Sequence, residues 1–226
     1  MPYCTAILLA AGSGIRFDAQ KTKQTHRLLG KSILLRSAEA LAKASLVDFL
    51  VVVVRWDEVD FATAELSSLC VPFKVVKGGN CRSASARIGF ENIPTQTTEV
   101  LIHDGARCLI TPKAVDEIAS ATRIYEAASA VSRVNDTVKR LDSEGKIFET
   151  VDRTRLCFAA TPQGFSVSLY HRALCCDSEV TDDNMLVENL GRRVHPVYIS
   201  ENPKITTPED MLYAEFLLRK RGEKDE

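Results

Sequence analysis

Three loops of this sequence concentrate residues that could bind phosphate. The first combines small residues with two cations: Ala10, Ala11, Gly12, Ser13, Gly14, Arg16 and Lys23. Its two glycines let backbone N–H groups converge on an anion, and its cations can neutralise phosphate oxygens. The residues alone also allow a tight solvent turn with unrelated surface cations.

The second loop places adjacent glycines before a stretch with helical spacing: Gly78, Gly79, Arg82, Ser83 and Ser85. Paired glycines allow a flat base edge to approach the backbone, and serine hydroxyls can bond to a ribose or a base. A plain strand-to-helix turn with a capping serine is the alternative.

The third loop follows a buried run and holds an acid and a base, Asp104 and Arg107. Such a pair at the edge of a sheet suits a metal–phosphate or sugar–phosphate group. The other interpretation is that Asp104 and Arg107 are polar residues with only a structural role. We expect His103 to be a core histidine or to support the site from behind.

Two common nucleotide motifs do not fit the chain. A dinucleotide fingerprint would need glycine where Phe17 stands and an acid where Arg55 follows the second strand. A P-loop ending at residues 30–32 would need glycine in place of Thr25. The prediction of a phosphate site therefore rests on the three loops together.

Composition excludes several classes of protein. The chain has 226 residues, with 29 Lys and Arg against 30 Asp and Glu, so its charge does not favour nucleic-acid or membrane-surface binding. The longest apolar run, Phe49–Val54, is far shorter than the ~20 residues that span a bilayer. The start shows no export signal, and seven cysteines without a C-x-x-C motif indicate reduced thiols in the cytoplasm.

Strand and helix patterns alternate along the first half of the chain. Continuous apolar runs at 7–9, Phe49–Val54, 73–76 and 100–102 predict buried strands. Helical spacing occurs at 34–41, between the first two runs, and at 83–90, between the last two. This alternation indicates right-handed βαβ units. We predict an α/β fold: a Rossmann-like open, mostly parallel sheet with helices on both faces and the three loops at its carboxyl edge.

The pattern changes after residue 131. Runs at 137–141 and Ile147–Val151 flank a polar turn at 142–146, which predicts an inserted β-hairpin. A hairpin of this size has no core of its own and usually packs on something else. We expect one domain over 1–226, with an arm at about 136–158.

Further elements are predicted around this arm. Helices should begin at Thr111-Pro112 and at Thr207-Pro208, since each pair combines an N-cap with proline at the first helical position. Between them we expect a helix near Val167–Leu174 and a strand at 194–199.

Eight stretches of the chain, taken in order, carry a family resemblance. They are Ala10-Ala11-Gly12-x-Gly14-x-Arg16, Lys23-Gln24, Gly78-Gly79-x-x-Arg82-x-x-Ser85, His103-Asp104-Gly105-Ala106-Arg107, Asp136-Thr137-Val138-Lys139, Thr161-Pro162-Gln163, Thr181-Asp182-Asp183 and Lys204-Ile205-Thr206-Thr207-Pro208-Glu209-Asp210. This ordered set resembles the 2-C-methyl-D-erythritol 4-phosphate cytidylyltransferase family over nearly the whole chain.

The resemblance implies a CTP-dependent enzyme. In the family the substrate phosphate attacks the α-phosphorus of CTP, pyrophosphate leaves, and Mg²⁺ is held largely by the triphosphate. The implied residues are, as catalytic cations, Arg16, Lys23, Arg153 and Lys204; for the nucleotide, Ala10, Ala11, Gly12, Ser13, Gly14, Gly78, Gly79, Arg82 and Ser85; and for the methylerythritol phosphate, Asp104, Arg107, Thr161 and Thr181. The resemblance also implies a homodimer whose arms cross and complete each other's substrate sites, with Arg153 and Thr161 at or beside the partner's arm.

Several of these assignments have plain structural alternatives. Arg153 could be an exposed arm cation, Thr181 and Asp182 a helix cap, and Lys204 a solvated lysine. The chain departs from the family at Thr22, where proline usually precedes the Lys-Gln pair, so the rigidity of the following segment is open. For the whole chain, the alternatives are a ribitol-5-phosphate cytidylyltransferase, whose first loop more often reads Ala-Gly-Gly, and a nucleotide-binding regulator without turnover.

Overall fold

The computed structural model describes residues 1–12, 22–175 and 180–224. The strands are β1 Cys4–Leu9, β2 Arg27–Leu28, β3 Lys31–Ser32, β4 Phe49–Val54, β5 Phe73–Lys77, β6 Glu99–Asp104, β7 Ala127–Arg133, β8 Val138–Leu141, β9 Ile147–Val151, β10 Cys157–Ser166 and β11 His195–Tyr198. The helices are α1 Ile33–Ala42, α2 Val59–Glu65, α3 Arg82–Glu91, α4 Pro112–Tyr125, α5 Val167–Leu174, α6 Asp183–Asn189 and α7 Pro208–Lys220, with 3₁₀ turns at Lys23–Thr25 and Arg153–Arg155.

Seven of the described strands form a central sheet in the order β11-β7-β10-β6-β1-β4-β5. β1 pairs in parallel with β4 and β6, whereas β10 runs antiparallel to β6 and β7. The strand order reverses at β1, because β4 and β5 extend to one side of it and β6 lies on the other. Open α/β sheets bind ligands outside the carboxyl ends of their strands at such a reversal.

Apolar side chains cover both faces of this sheet. On one face, Leu34 of α1 and Ile118 of α4 pack against Leu8 of β1. On the other face, Phe90 of α3 and Tyr170 of α5 lie in the same cluster as strand residues from β1, β4 and β6. The predicted α/β sheet with helices on both faces is therefore confirmed.

Helix caps occur at the predicted positions. The hydroxyl of Thr111 accepts a hydrogen bond from the backbone N–H of Ala114 at 3.2 Å, and Pro112 is the first residue of α4. Before α7, the Asp210 carboxylate accepts from the N–H of Thr207 at 2.8 Å. These bonds use N–H groups that have no partner within a helix.

The arm is a separate antiparallel ladder of β8 and β9, in which Val138 pairs with Val151. Its turn is closed by the N–H of Asp142, which donates to the carbonyl of Lys146 at 2.9 Å. The side chain of Phe148 is 59% exposed. The predicted hairpin is confirmed, and little covers its apolar residues within this chain.

Some elements were not predicted from the sequence: β7, β10, α2 and α6. β10 is the most consequential of these, because it brings Thr161 next to the end of β6. Within the described residues, the helices are all too short or too polar to cross a membrane.

Candidate active site

A cavity of about 360 Å³ lies at the carboxyl ends of β1, β5 and β6. It brings together many residues predicted for the site: Ala11, Gly12, Lys23, Gly79, Arg82, Ser85, Asp104 and Lys204. Among the described residues that line it, three side chains are cations and one is a carboxylate. This excess of positive charge favours a polyanionic ligand.

Asp104, the last residue of β6, joins two of these cations. Its Oδ1 accepts from Arg82 Nε at 3.1 Å, and its Oδ2 accepts from Lys204 Nζ at 2.7 Å. Burial alone would raise the pKa of Asp104, but the charges of Arg82 and Lys204 hold that pKa well below its usual range. Asp104 is therefore ionised at neutral pH and fixes where both cations lie.

Arg82, the first residue of α3, extends this ion pairing away from the cavity. Its Nη1 donates to Asp183 at 2.7 Å, and the other oxygen of Asp183 accepts from the Tyr170 hydroxyl at 2.6 Å. Burial lowers the pKa of Arg82, but Asp183 and Asp104 raise it above its ordinary value, so the guanidinium stays charged. The side chain of Asp183 is only 2% exposed.

Thr161 of β10 supports Asp104 from behind. Its hydroxyl accepts from the backbone N–H of Asp104 at 3.0 Å and is hydrogen-bonded to Nδ1 of His103 at 3.0 Å. His103 is fully buried, which lowers its pKa to about 4 and keeps the ring neutral. Thr161 thus contacts Asp104 of its own chain, and its predicted place beside a partner's arm stays a prediction.

The second loop is shaped by contacts inside the protein. The N–H of Gly79 donates to Ser85 Oγ at 3.1 Å, and that hydroxyl donates to the carbonyl of Cys81 at 2.9 Å. A side chain on Gly78 would overlap Ala11, so glycine lets the first and second loops meet. The cap of α3 is Cys81, whose Sγ accepts from Ala84 N at 3.4 Å, so a capping serine is wrong.

Gln24 is a cavity residue to which we gave no role from the sequence, although it belongs to the Lys-Gln motif. It is 2% exposed, and its Oε1 is buried without a hydrogen-bond partner. An unpaired buried amide oxygen destabilises a fold by about 1–3 kcal/mol. A ligand hydroxyl or amino group that donated to this oxygen would remove that cost.

Other predicted site residues lie away from this cavity. Arg107 lines a second cavity of about 580 Å³ together with Phe158 and Tyr198, and its Nη1 donates to the carbonyl of Asn202 at 3.1 Å. Ala10 is fully buried in the hydrophobic core next to the sheet.

Arg153 is exposed at the base of the arm, where it donates to the carbonyl of Asn135. Thr181 is exposed just before α6, whose N-cap is Asp182. Ser13, Gly14 and Arg16 lie outside the described residues.

Comparison with known proteins assigns the chain to a family. The family model of 2-C-methyl-D-erythritol 4-phosphate cytidylyltransferase matches residues 4–220. The chain belongs to this family. A cytidylyltransferase of that name from Thermosynechococcus vestitus is 37% identical over 227 residues, which cover 97% of each chain.

Solved structures agree with this assignment. The 4-diphosphocytidyl-2C-methyl-D-erythritol synthase of Anaerococcus prevotii is 27% identical, with 96% of each chain covered and a TM-score of 0.87. The 2-C-methyl-D-erythritol 4-phosphate cytidylyltransferase of Thermus thermophilus is 26% identical, with 97% of this chain and 100% of that chain covered and a TM-score of 0.77. The predicted family, enzyme class and main function are confirmed: the chain is a CTP-dependent nucleotidyltransferase.

Proposed function

We propose that this cytidylyltransferase transfers CMP from CTP to 2-C-methyl-D-erythritol 4-phosphate and that the cavity at the carboxyl edge of the sheet holds the nucleotide. The observation that carries this proposal is the grouping of Lys23, Arg82 and Lys204 beside a glycine-containing loop. The cavity volume of about 360 Å³ falls in the ~300–1,000 Å³ range of ligand sites.

The reaction itself asks for positioning and charge neutralisation. An oxygen of the substrate phosphate forms a bond to the α-phosphorus of CTP, and the bond from that phosphorus to pyrophosphate breaks. No protein nucleophile is needed, because the enzyme has only to align the two groups and stabilise the negative charge between them.

The cations have distinct roles in this proposal. Lys23, together with Arg16 of the first loop, stabilises charge on the α-phosphorus, since fixed donors aimed at developing charge lower the barrier most. Lys204 presents a 40% exposed side chain to the substrate phosphate while Asp104 holds it in place. Arg82, tied to two carboxylates, is a rigid cation at the start of α3, where the helix dipole also favours an anion.

Mg²⁺ fits this cavity as a counterion of the triphosphate. Both oxygens of Asp104 already accept from cations. Groups of three or more ligating His, Cys, Asp or Glu side chains are absent from the described residues. Mg²⁺ commonly binds through substrate phosphates, and there it would neutralise part of their charge.

The acceptor site, in this proposal, is completed by a second copy of the chain. The arm at about 136–158 would reach across the dimer, because its apolar residues are exposed and Arg153 lies away from the cavity of its own chain. Arg107 and Thr181 would then meet the methylerythritol phosphate at the border between subunits. The free thiols of Cys4, Cys70, Cys81, Cys108, Cys157 and Cys175 support a reducing, cytoplasmic setting for a single nucleotidyltransferase domain.

The test is pyrophosphate release from CTP with either of two acceptors. We expect rapid release with methylerythritol phosphate and little with ribitol 5-phosphate. Faster release with ribitol 5-phosphate would favour the other cytidylyltransferase, and CTP binding without release from either acceptor would indicate a regulator. Equal kcat/KM for CTP and UTP would contradict the assignment of the glycine loop at 78–79 to the cytosine base, because a site that hydrogen-bonds an exocyclic group rejects analogues that lack it.

A further inference from the structure

The segment that carries Lys23 is short. Lys23–Thr25 is a single 3₁₀ turn, in which the N–H of Thr25 donates to the carbonyl of Thr22 and the N–H of His26 donates to that of Lys23, each at 3.2 Å. At the end of the Lys23 side chain, Nζ donates to the carbonyl of Ile205 at 3.2 Å. A turn this short does not hold its own position, because 3₁₀ geometry gives poor hydrogen bonds.

A buried contact fixes the start of this turn. The hydroxyl of Thr22 donates to Oε1 of Glu58, a residue 36 positions later in the chain, and both residues are only 8% exposed. Glu58 occupies the N-cap position of α2, yet its carboxyl group makes no capping bond. Its other oxygen, Oε2, is buried without a partner.

This use of Glu58 goes against the ordinary preference of its position. A side chain at an N-cap normally satisfies the free N–H groups of its own helix. Glu58 instead directs one oxygen to Thr22 and leaves the other unpaired, which is unfavourable in a buried place. The contact therefore joins the Lys23 segment to the β4–α2 connection and does not cap α2.

The backbone of Thr22 shows what the contact restrains. Its φ of −71° and ψ of 145° lie in an extended region, and that φ is within the range imposed by a proline ring. Threonine can change this φ, whereas a proline ring fixes it. A bond from the hydroxyl to a buried acceptor restricts threonine in a comparable way.

Building on the function proposed above, we propose that Thr22 and Glu58 form a positioning pair that holds Lys23 at the reacting phosphates. Neither side chain lines the cavity, whereas Lys23 does, so both act through Lys23. A shift of about 1 Å in a catalytic group can lower turnover by roughly 100-fold. Losing the contact should therefore lower kcat and leave CTP affinity nearly unchanged.

Four variants separate positioning from folding. Thr22→Val removes the hydroxyl at nearly constant shape, and Glu58→Leu removes its acceptor; we expect each to lower kcat by roughly 10- to 100-fold. Thr22→Ser keeps the hydroxyl and should stay near the wild-type rate. Thr22→Pro restrains φ without the hydroxyl, so it should keep most of the kcat that Thr22→Val loses.

A double variant and an exchange measurement complete the test. Thr22→Val with Glu58→Leu should be no slower than either single change, since both remove one contact. Hydrogen exchange at the amides of Thr25 and His26 should be faster in the Val and Leu variants, equal to wild type in Thr22→Ser, and unchanged in β1 for all of them. This readout needs no turnover, so it tests the contact even if the wild-type enzyme does not use CTP.

Three results would overturn the proposal. They are a wild-type kcat in Thr22→Val, a Thr22→Pro protein as slow as Thr22→Val, and exchange at Thr25 and His26 that does not respond to loss of the hydroxyl. If Thr22→Val or Glu58→Leu lost kcat only in proportion to its unfolded fraction, measured by thermal denaturation, a purely structural role would be shown instead. Absence of CTP turnover in the wild type would reject the proposed function. The hydrogen-exchange result would then decide whether Thr22 and Glu58 hold the Lys23 segment.

Discussion

The cavity at the carboxyl edge and the hairpin arm handle charge in opposite ways. Asp104 in the cavity wall and Asp183 behind it are nearly buried, and each accepts from Arg82. In the arm, the pair between Arg140 and Glu149 is exposed at 60% and 44%. Buried pairs with several hydrogen bonds fix geometry, whereas exposed pairs contribute little. Charge pairs within the chain thus organise the cavity, whereas the arm's charge pair is exposed and fixes little.

The largest effect should come from the cavity cation closest to the proposed chemistry. We expect Lys23→Ala to lower kcat by about 10²- to 10³-fold, because a preorganised donor to developing charge is lost. CTP binding, measured by calorimetry, should persist. Lys113→Ala, which removes a lysine whose side chain is 87% exposed, is the matched control and should leave kcat unchanged. A near-normal kcat with weakened CTP binding would make Lys23 a ground-state binding residue.

The comparison of buried and exposed pairs can be tested by paired neutralisation. Asp183→Asn should lower the free energy of unfolding by about 3 kcal/mol, the lower end for a broken buried pair, since Arg82 keeps Asp104. Glu149→Gln in the arm should change it by less than about 1 kcal/mol. Urea denaturation of both variants gives the two values. Equal losses would show that the network is no more structural than the surface pair.

The free energy of unfolding should also depend on pH through a residue beside the cavity, His103. Burial lowers the pKa of His103 to about 4, below its ordinary 6.5. Between these values the unfolded chain binds a proton that the folded chain does not, so the free energy of unfolding falls as pH falls from about 6.5 to about 4. The total contribution is about 3 kcal/mol.

Substitution isolates this contribution. The slope of the unfolding free energy against pH should become shallower in His103→Gln. It should persist in His171→Gln, the control, because His171 is exposed. Denaturant titrations from pH 7 to 4 measure both slopes. Identical slopes in wild type and His103→Gln would contradict the buried, neutral state of the ring.

Sequence patterns predicted the buried apolar strands and the hairpin strands β8 and β9, and they missed β7 and β10. β1, β4 and β6 contain runs of β-branched residues and leucine, and these strands are almost entirely buried. β7 is rich in alanine and serine, and β10 contains Pro162 and Gly164, which weigh against a strand. The structure explains Gly164, since a Cβ there would overlap the Thr122 hydroxyl of α4. Tertiary packing, which no local pattern records, decides these two strands.

The same limit applies to the site. Lys23, Arg82 and Asp104 could be named from their loops, because the carboxyl ends of parallel strands meet at one edge. Lys204 was named only through the family resemblance. The sequence did not predict how these residues pair with one another, and it did not predict the burial of Asp183. A carboxylate directly after the N-cap of a short helix gave the only local signal for Asp183, and it did not reveal Arg82 as its partner. Long-range charge pairing depends on how elements pack.

The arm offers the remaining prediction, whose expected signal is a fraction of wild-type activity. If arms cross in a dimer, Lys23 serves the cavity of its own chain and Arg153 serves that of its partner. Two inactive proteins, Lys23→Ala and Arg153→Ala, should then complement each other after subunit exchange. In a mixed dimer, one site contains both intact residues and the other contains neither.

The expected level follows from random pairing. About half of the dimers are mixed and each has one working site of two, so activity should rise to about a quarter of wild type. Differently tagged subunits, captured together, confirm that exchange has occurred. The control is a mixture of Lys23→Ala with a second cavity variant, Lys204→Ala. It should restore no activity, because each site of a mixed dimer then lacks one of the two lysines. If exchange is confirmed and Arg153→Ala also restores nothing, Arg153 serves its own chain, and the exposed arm needs an explanation other than a shared site.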